Sequence, residues 1–314
     1  MAALALRPER DVAVSDALNF PSDLYVLQGC IHLLGDRHRL HLISNPDAIT
    51  VDDEEIRRAI DGRTVLVVLS HVTFKSGFLY DMAAITRRAH EVGALVLWDL
   101  CHSVGVVPME LDRWEVDLAV GCTYKYLNGG PCSPAFLYVQ RDLQALAVAP
   151  IWGWFGERNP FALELGYVPA DGVTRFLSGT PPMLSLLAME SALDIVLEAG
   201  VERISAKSMR LTSYLIDLFD EVLAPLGFTL GSPREPTRRG SHVSIQRPEG
   251  YRINRALIEE MQVLPDFREP DNIRLGLAPL YTSFSDVWSG VDRIRRTMGE
   301  KRYLRFPAIR SAVT

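Results

Sequence analysis

The sequence predicts an α/β fold, a mostly parallel sheet sandwiched by helices, with a smaller α+β C-terminal domain. Between residues 10 and 139, short β-branched runs alternate with amphipathic stretches, which is the pattern of parallel strands joined by helices. The strand candidates are apolar almost without interruption, and such strands are typically buried on both faces of a sheet. After residue 139 a loop rich in aromatic residues and glycine ends this alternation.

Six runs are predicted as strands, and three stretches between them as helices. The strands are DVAVS from Asp11, RLHLIS from Arg39, TVLVVLS from Thr64, ALVLWD from Ala94, DLAVGC from Asp117 and PAFLYV from Pro134. The helices are SDLYVLQGCIHLLG after Pro21, VDDEEIRRAID after a cap at Thr50, and DMAAITRRAHEVG over residues 81–93. Hydroxyl or acidic residues before a helix and glycine after it indicate its ends.

The second half of the chain predicts a smaller unit. A long helix over residues 183–200 follows a Gly-Thr-Pro-Pro turn, and a further helix starts near Ile204. Strand signals occur near residues 242–245 and 273–277. We therefore expect a large, cofactor-binding domain over residues 1–182, and a linking helix with a small C-terminal domain over residues 183–314.

Composition and charge exclude several classes of partner. The 33 basic and 39 acidic residues give a formal net charge of −6, without the basic run that nucleic-acid binding needs. No apolar stretch reaches the roughly 18 residues of a membrane span, and the first residues do not resemble a signal peptide. The four cysteines fit neither a zinc site nor a disulfide scaffold, and the histidines add no metal constellation. We expect a cytoplasmic protein that binds no nucleic acid, membrane or metal.

Two residues at the ends of neighbouring strand candidates carry the chemical prediction. Asp99 closes an apolar strand, where a carboxylate loses hydration unless a cation or several donors contact it. Lys125 follows the next strand, between Tyr124 and Tyr126, where partial desolvation favours a nucleophilic amine. In open parallel sheets, ligands bind beyond the carboxyl ends of the strands. Taken singly, Asp99 is also consistent with a residue that caps the following turn, and Lys125 with a surface lysine in a loop.

Together, the two residues match the needs of one cofactor. Pyridoxal phosphate has an aldehyde that a lysine amine binds covalently, and a pyridine nitrogen that a buried carboxylate keeps protonated. Because Asp99 and Lys125 supply these two groups at one edge of the predicted sheet, the sequence predicts a pyridoxal-phosphate site there.

Six motifs are spread over nearly the whole chain: NFPSDLYVLQG, WDLCHS, GCTYKYLNGGP, WGWFG, FLSGTPPMLSL and DNIRLGLAPLYTSFSDV. In their sequence and order they resemble the kynureninase family, whose members are pyridoxal-phosphate enzymes of the aspartate aminotransferase fold type. The resemblance implies hydrolysis of the Cβ–Cγ bond of L-kynurenine, or of its 3-hydroxy form, to anthranilate and L-alanine in tryptophan catabolism. It also implies a homodimer with shared active sites.

The resemblance implies a role for each matching residue. Lys125 binds the cofactor covalently and acts as the base, Asp99 pairs with the pyridine nitrogen, and Arg274 holds the substrate carboxylate with its planar fork. The further cofactor contacts that it implies are Phe20, Asp23, His102, Tyr124, Trp154 and Thr180, with Trp154 and Thr180 supplied by the neighbouring subunit. Without the resemblance, packing or a surface ion pair explains Phe20, Tyr124, Trp154 and Arg274 equally well.

The chain departs from the family pattern in two places. Lys75 stands in HVTFKSG where the family commonly has arginine. Family members also carry about a hundred residues before the equivalent of Arg7, including a helix N-terminus that holds the cofactor phosphate. We therefore expect an N-terminally truncated domain, with residues 1–6 as the tail of that helix. Two alternatives follow: a cysteine-desulfurase-like relative, or an inactive family member that serves as a binding partner.

Overall fold

The computed structural model describes residues 1–308, so the last six residues of the expected second domain lie outside the described range. The first half forms a six-stranded sheet in the order β2-β1-β3-β4-β5-β6, parallel except for β6, which runs antiparallel to β5. Its strands are β1 (Val12–Asp16), β2 (Arg39–Ile43), β3 (Thr64–Ser70), β4 (Leu95–Asp99), β5 (Leu118–Cys122) and β6 (Ala135–Val139). All six predicted strands are confirmed.

Helices of this half lie on the two faces of the sheet. They are α1 (Ala2–Ala5), α2 (Pro21–Leu33), α3 (Asp53–Ala59), α4 (Met82–Glu91) and α5 (Arg141–Gln144). One apolar core includes residues of α3 and α4, and a second includes residues of α1 and α2 on the opposite face. The predicted sandwich is therefore confirmed.

Two local predictions for this half were wrong. The α3 helix is capped by Asp52, whose carboxylate accepts from the Glu54 amide at 2.9 Å, rather than by Thr50. The Thr50 hydroxyl donates instead to Asp47 at 2.6 Å. Burial on both faces holds for β1 and β3, whereas β2 and β6 are edge strands with partly exposed residues.

The second half has its own antiparallel sheet, in the order β7-β8-β10-β9. Its elements are α6 (Met183–Ala199), α7 (Val201–Leu218), β7 (Thr229–Leu230), β8 (His242–Gln246), α8 (Gly250–Met261), β9 (Asp266–Arg268), β10 (Asn272–Gly276) and α9 (Phe284–Gly299). Helices α7, α8 and α9 cover this sheet with a separate apolar core. The smaller α+β unit is present, and the boundary between residues 182 and 183 stays a prediction.

Within residues 1–308, no helix combines the length and the apolar character needed to cross a lipid bilayer. The long helix predicted over residues 183–200 matches α6 almost completely. The sequence analysis did not identify α8, α9, β7 or β9.

Candidate active site

Asp99 and Lys125 lie at the same edge of the first sheet, as predicted. Strands β4 and β5 are parallel neighbours, with Asp99 opposite Val120, and Lys125 comes three residues after the end of β5. The Asp99 side chain is 6% exposed. One of its oxygens accepts from the Cys101 amide at 2.7 Å, and the other accepts from the Ser70 hydroxyl at 3.3 Å. Asp99 therefore caps its own turn and also presents a buried carboxylate at the strand ends.

The loop that carries Lys125 packs tightly against the turn after β4. Gly105 in that turn has φ +84°, and a Cβ atom there would lie 3.0 Å from the carbonyl oxygen of Tyr126. The Lys125 amine lies 5.6 Å from the centre of the Tyr124 ring. Tyr124 itself is 54% exposed, so its hydroxyl-bearing ring is accessible from solvent. The close packing fixes the lysine loop relative to Asp99.

Asp23 brings a second carboxyl group to Asp99. It lies in the first turn of α2, which starts at Pro21 after Phe20. Burial and the neighbouring Asp99 carboxylate raise the pKa of Asp23 to about 7, and the Lys125 cation partly opposes this rise. Among the described residues, the buried Oδ2 atom of Asp23 has no hydrogen-bond donor. This oxygen is therefore free to contact a group bound at the site.

The raised pKa of Asp23 predicts how stability depends on pH in the cofactor-free chain. The folded state holds a proton that the unfolded state releases above its ordinary pKa of 3.8, so the free energy of unfolding falls as pH rises from about 4 to about 7. Asp23→Asn removes this contribution. We expect the variant to gain stability relative to the unmodified chain across that interval, measured by urea unfolding at successive pH values.

The control for this prediction is Asp142→Asn, at an exposed carboxylate on α5. Because Asp142 is exposed, its replacement should change the free energy of unfolding less than Asp23→Asn does. Burial also raises the pKa of Asp16, to about 6, so the chain with Asp23→Asn keeps part of the fall. A constant stability difference between Asp23→Asn and the unmodified chain over this interval would contradict the assignment.

Arg274 joins the second sheet to the strand ends of the first. It lies on β10, and its guanidinium donates to the Phe74 carbonyl oxygen at 2.6 Å and to the Asp266 carboxylate. One nitrogen also lies 3.2 Å from Nε2 of His102, in the turn after β4. Burial, with cationic neighbours that include Lys125 and Arg274, holds the pKa of His102 well below its ordinary value. A neutral His102 therefore accepts from Arg274 and orients it.

A cleft of about 470 Å³ lies between the two sheets. The residues that line it include His102, Tyr124, Lys125, Tyr126, His242, Asp266, Arg268, Arg274 and Tyr281. Lysine, histidine and arginine thus face one cavity, from positions as far apart in sequence as 102 and 274. The structure brings together the predicted residues Lys125, His102, Tyr124 and Arg274 at the cleft, with Asp23 and Asp99 at the neighbouring strand ends.

Three predicted cofactor contacts lie at or beyond the margin of this arrangement. The Phe20 ring is 41% exposed and packs edge-to-face on Phe74 at 5.3 Å. Trp154 lines a different cavity, next to Trp152 and Tyr167, and Thr180 is exposed. Trp154 and Thr180 therefore stay predictions that depend on a second subunit.

Sequence reasoning missed two residues that surround the predicted set. His242 is buried on β8 with its ring 5.6 Å from that of His102. Asp266 on β9 forms the ion pair with Arg274. The strand signal near residue 242 was visible, but which side chains would face His102 depends on how the two sheets meet.

Comparison with known proteins agrees with this geometry. A family model described as the kynureninase C-terminal domain matches residues 204–294, and a DegT/DnrJ/EryC1/StrS aminotransferase family model matches residues 42–110. A kynureninase from Pseudomonas fluorescens is 43% identical over 94% of the chain and 69% of its own length. One from Burkholderia mallei is 40% identical over 98% of the chain and 72% of its length. The chain belongs to the kynureninase family.

Solved structures support the fold assignment. A cysteine desulfurase from Thermococcus onnurineus NA1 superposes with a TM-score of 0.80 at 19% identity, covering 95% of the chain and 76% of that protein. An alanine–glyoxylate aminotransferase from Nostoc sp. gives 0.70 at 20% identity, covering 95% and 78%. At these identities the likeness concerns the fold alone. The predicted aspartate aminotransferase-like architecture is confirmed.

Pyridoxal phosphate is the cofactor of this kynureninase-family chain, as predicted, and the residues at the strand ends fit it. Asp99 offers a buried carboxylate that can accept from a protonated pyridine nitrogen. The Oδ2 atom of Asp23 lacks a donor beside it, and the Lys125 amine opens into the cleft. The Tyr124 side chain is half-exposed and lines the cleft, where its hydroxyl can contact a phosphate. Asp99 thus suits the pyridine nitrogen of the cofactor, Lys125 its aldehyde and Tyr124 its phosphate.

Proposed function

We propose that the chain hydrolyses the Cβ–Cγ bond of L-kynurenine, or of its 3-hydroxy form, to anthranilate and L-alanine. The observation that carries this proposal is the meeting of Lys125 and Arg274 in one cleft, next to the buried carboxylate of Asp99. A covalent amine, a pyridine partner and a carboxylate clamp are what a pyridoxal-phosphate enzyme acting on an amino acid requires. Membership of the kynureninase family selects this substrate among amino acids.

The residues divide the work of the reaction. When bound, pyridoxal phosphate supplies an electron sink for bonds broken next to the substrate amine. Lys125 removes the Cα proton as the general base and later returns a proton to the product. Asp99 keeps the pyridine nitrogen protonated. Water enters the cleft to supply the oxygen of the anthranilate carboxylate and the hydrogen that completes alanine.

Arg274 and His102 orient the substrate. The guanidinium of Arg274 presents a planar fork that binds a carboxylate through two hydrogen bonds. Its contact with the neutral His102 ring and with the Phe74 carbonyl fixes that fork toward the cleft. Asp266 already forms an ion pair with Arg274 and is partly exposed. We therefore expect the substrate carboxylate to compete with Asp266 for the Arg274 guanidinium.

Arg274→Lys tests this assignment. Lysine keeps the charge but loses the fork, and a charge-assisted hydrogen bond contributes about 1.5–3 kcal/mol, or about 10- to 150-fold in binding. We expect KM for L-kynurenine to rise about 10- to 100-fold, with a smaller fall in kcat, in steady-state assays. Arg295→Lys on the exposed face of α9 is the matched control and should change neither constant. An unchanged KM in Arg274→Lys would remove Arg274 from the carboxylate site.

A direct assay separates the proposed reaction from its alternatives. The cofactor-loaded chain should release fluorescent anthranilate from L-kynurenine and no sulfide from L-cysteine. A cysteine-desulfurase-like enzyme would do the opposite. Desulfuration needs a nucleophilic cysteine on a mobile loop of the small domain, and the sequence has no cysteine after Cys132. A chain that binds the cofactor without either product would favour the non-catalytic alternative.

We propose further that the chain works as a homodimer in the cytoplasm, in tryptophan catabolism. Large apolar side chains of α6 are exposed in the single chain, with Leu184 84% and Leu197 75% exposed. Trp154 lies outside the cleft of its own chain, which suits a contact with a neighbouring site. Sedimentation should give a species of twice the chain mass. Mixed dimers of Lys125→Ala and Trp154→Ala chains should regain activity that neither variant has alone.

A further inference from the structure

Two cysteines lie close together at the strand ends that carry the cofactor site. Asp99 on β4 is in register with Val120 on β5, and the Leu100 amide donates to the Val120 carbonyl oxygen at 2.8 Å. Cys122 is the last residue of β5, and Cys101 lies in the turn two residues after the end of β4. The Cys122 sulfur lies 3.9 Å from the Cys101 carbonyl oxygen. Neighbouring strands are about 5 Å apart, so the adjacent ends of two strands can bring residues to the Cα separation of about 4.4–6.8 Å that a disulfide needs.

The Cys122 thiol lies next to Cys101, and each thiol shifts the pKa of the other. Both are free thiols, and the neighbouring thiol is the largest influence on the pKa of each. Cys122 raises the pKa of Cys101, whereas Cys101, with the nearby Lys125 cation, lowers the pKa of Cys122 to about 6. The lowered pKa of Cys122 favours its thiolate, which is the nucleophilic form of cysteine. Cys101 is partly exposed, so small oxidants reach the pair.

We propose that Cys101 and Cys122 form a reversible disulfide when a hydroperoxide reaches this edge of the sheet. The thiolate of the pair attacks one peroxide oxygen, the O–O bond breaks, and the other oxygen leaves as an alcohol or water. The sulfenic acid formed is then attacked by the second sulfur, which expels water and closes the S–S bond. The two sulfurs lose two electrons and the hydroperoxide gains them. The bridge joins the strand ends of Asp99 and Lys125, so oxidation acts at the cofactor site.

The other two cysteines provide an internal comparison. Cys132 is more exposed than either member of the pair, whereas Cys30 lies on α2, away from both. Oxidation governed by exposure alone would modify Cys132 first. Oxidation governed by the proximity of two thiols and by thiolate character modifies Cys101 and Cys122 together.

The test treats the full chain with hydrogen peroxide, blocks remaining thiols with an alkylating agent and counts them after denaturation. We expect the four thiols of the chain to fall to two, and dithiothreitol to restore all four. Cleavage after Arg113 separates the two cysteines, so mass spectrometry of non-reduced tryptic peptides should find one linked pair containing Cys101 and Cys122. Because the readout is the thiol count, it does not depend on kynurenine turnover.

Two variants complete the test. Cys132→Ser should still form the linked peptide. Cys101→Ser leaves a single sulfur at the pair, so it should give no linked peptide and should consume peroxide at least about tenfold more slowly at Cys122. Cys101→Ala is a second variant for the case in which serine perturbs the turn. With its folding checked by circular dichroism, it should also give no linked peptide and slower oxidation of Cys122. A linked peptide that involves Cys30 or Cys132 instead, or equal oxidation of Cys122 with and without Cys101, would overturn the proposal.

Discussion

Lys125→Ala is expected to abolish turnover and covalent cofactor binding together. The proposed general base contributes about 10²- to 10⁴-fold to the rate, and the same amine is the proposed covalent anchor. We therefore expect kcat with L-kynurenine to fall by at least about 10³-fold. The absorbance band at about 420 nm that accompanies the covalently bound cofactor should be missing. Borohydride should fix the cofactor permanently to the unmodified chain and not to the variant.

The control for this prediction is another partly buried lysine. Lys207 on α7 donates to the Pro279 carbonyl oxygen and does not line the cleft. Lys207→Ala should keep the absorbance band, the borohydride product and the turnover of the unmodified chain. If borohydride still fixed the cofactor to the Lys125→Ala chain, another lysine would be the anchor and the assignment would be wrong.

The strand ends of the first sheet were predictable because local patterns determine them. The apolar runs that end at Asp99 and Cys122 define β4 and β5. Since these strands are consecutive, a parallel sheet that keeps them adjacent also brings Asp99 and the Lys125 loop together. The chemistry of this edge could therefore be inferred before the structure.

The contacts of Arg274 could not be predicted in the same way. Arg274 reaches His102 and Phe74 across 172 and 200 residues of sequence. These contacts depend on how the second sheet meets the first, which no local pattern encodes. The β7 and β9 strands, of two and three residues, are likewise defined by their pairing rather than by a periodic run. The role of Arg274 could be inferred from the family resemblance, whereas its contacts became known only from the structure.

Some signals were present in the sequence but were not used. Helix α9 begins at Phe284, after the N-cap Ser283, and Ser283 and Asp286 form a capping box that the spacing Ser-x-x-Asp indicates. Cys101 and Cys122 likewise follow the apolar runs of β4 and β5, so the adjacency of these strands places the two cysteines at one edge of the sheet. The prediction of Thr50 as the cap of α3 was wrong for a different reason. The Thr50 hydroxyl donates to Asp47, and Asp52 caps α3 instead.

Asp99→Asn is expected to be the most informative change after Lys125→Ala. Asparagine has nearly the same shape, and its carbonyl oxygen can still accept from the Cys101 amide that Asp99 caps. It carries no charge, so it cannot keep the pyridine nitrogen protonated. Removing such an electrostatic contact costs about 10²- to 10³-fold in rate. We expect kcat to fall by about that factor, while borohydride still fixes the cofactor at Lys125.

The control is another buried carboxylate at the opposite end of the sheet. Asp117, just before β5, accepts from the Val96 amide at 2.8 Å and contacts His90 at 2.9 Å. Asp117→Asn should lower the melting temperature and leave kcat per bound cofactor unchanged, because Asp117 lies far from the carboxyl ends of the strands. Asp99→Asn should instead lower kcat per bound cofactor and leave the melting temperature unchanged. It should also lower the pKa of Asp23, because the Asp99 charge contributes to the raised value. If kcat fell equally in both variants, the loss would reflect damage to the sheet, and Asp99 would have no specific role at the pyridine nitrogen.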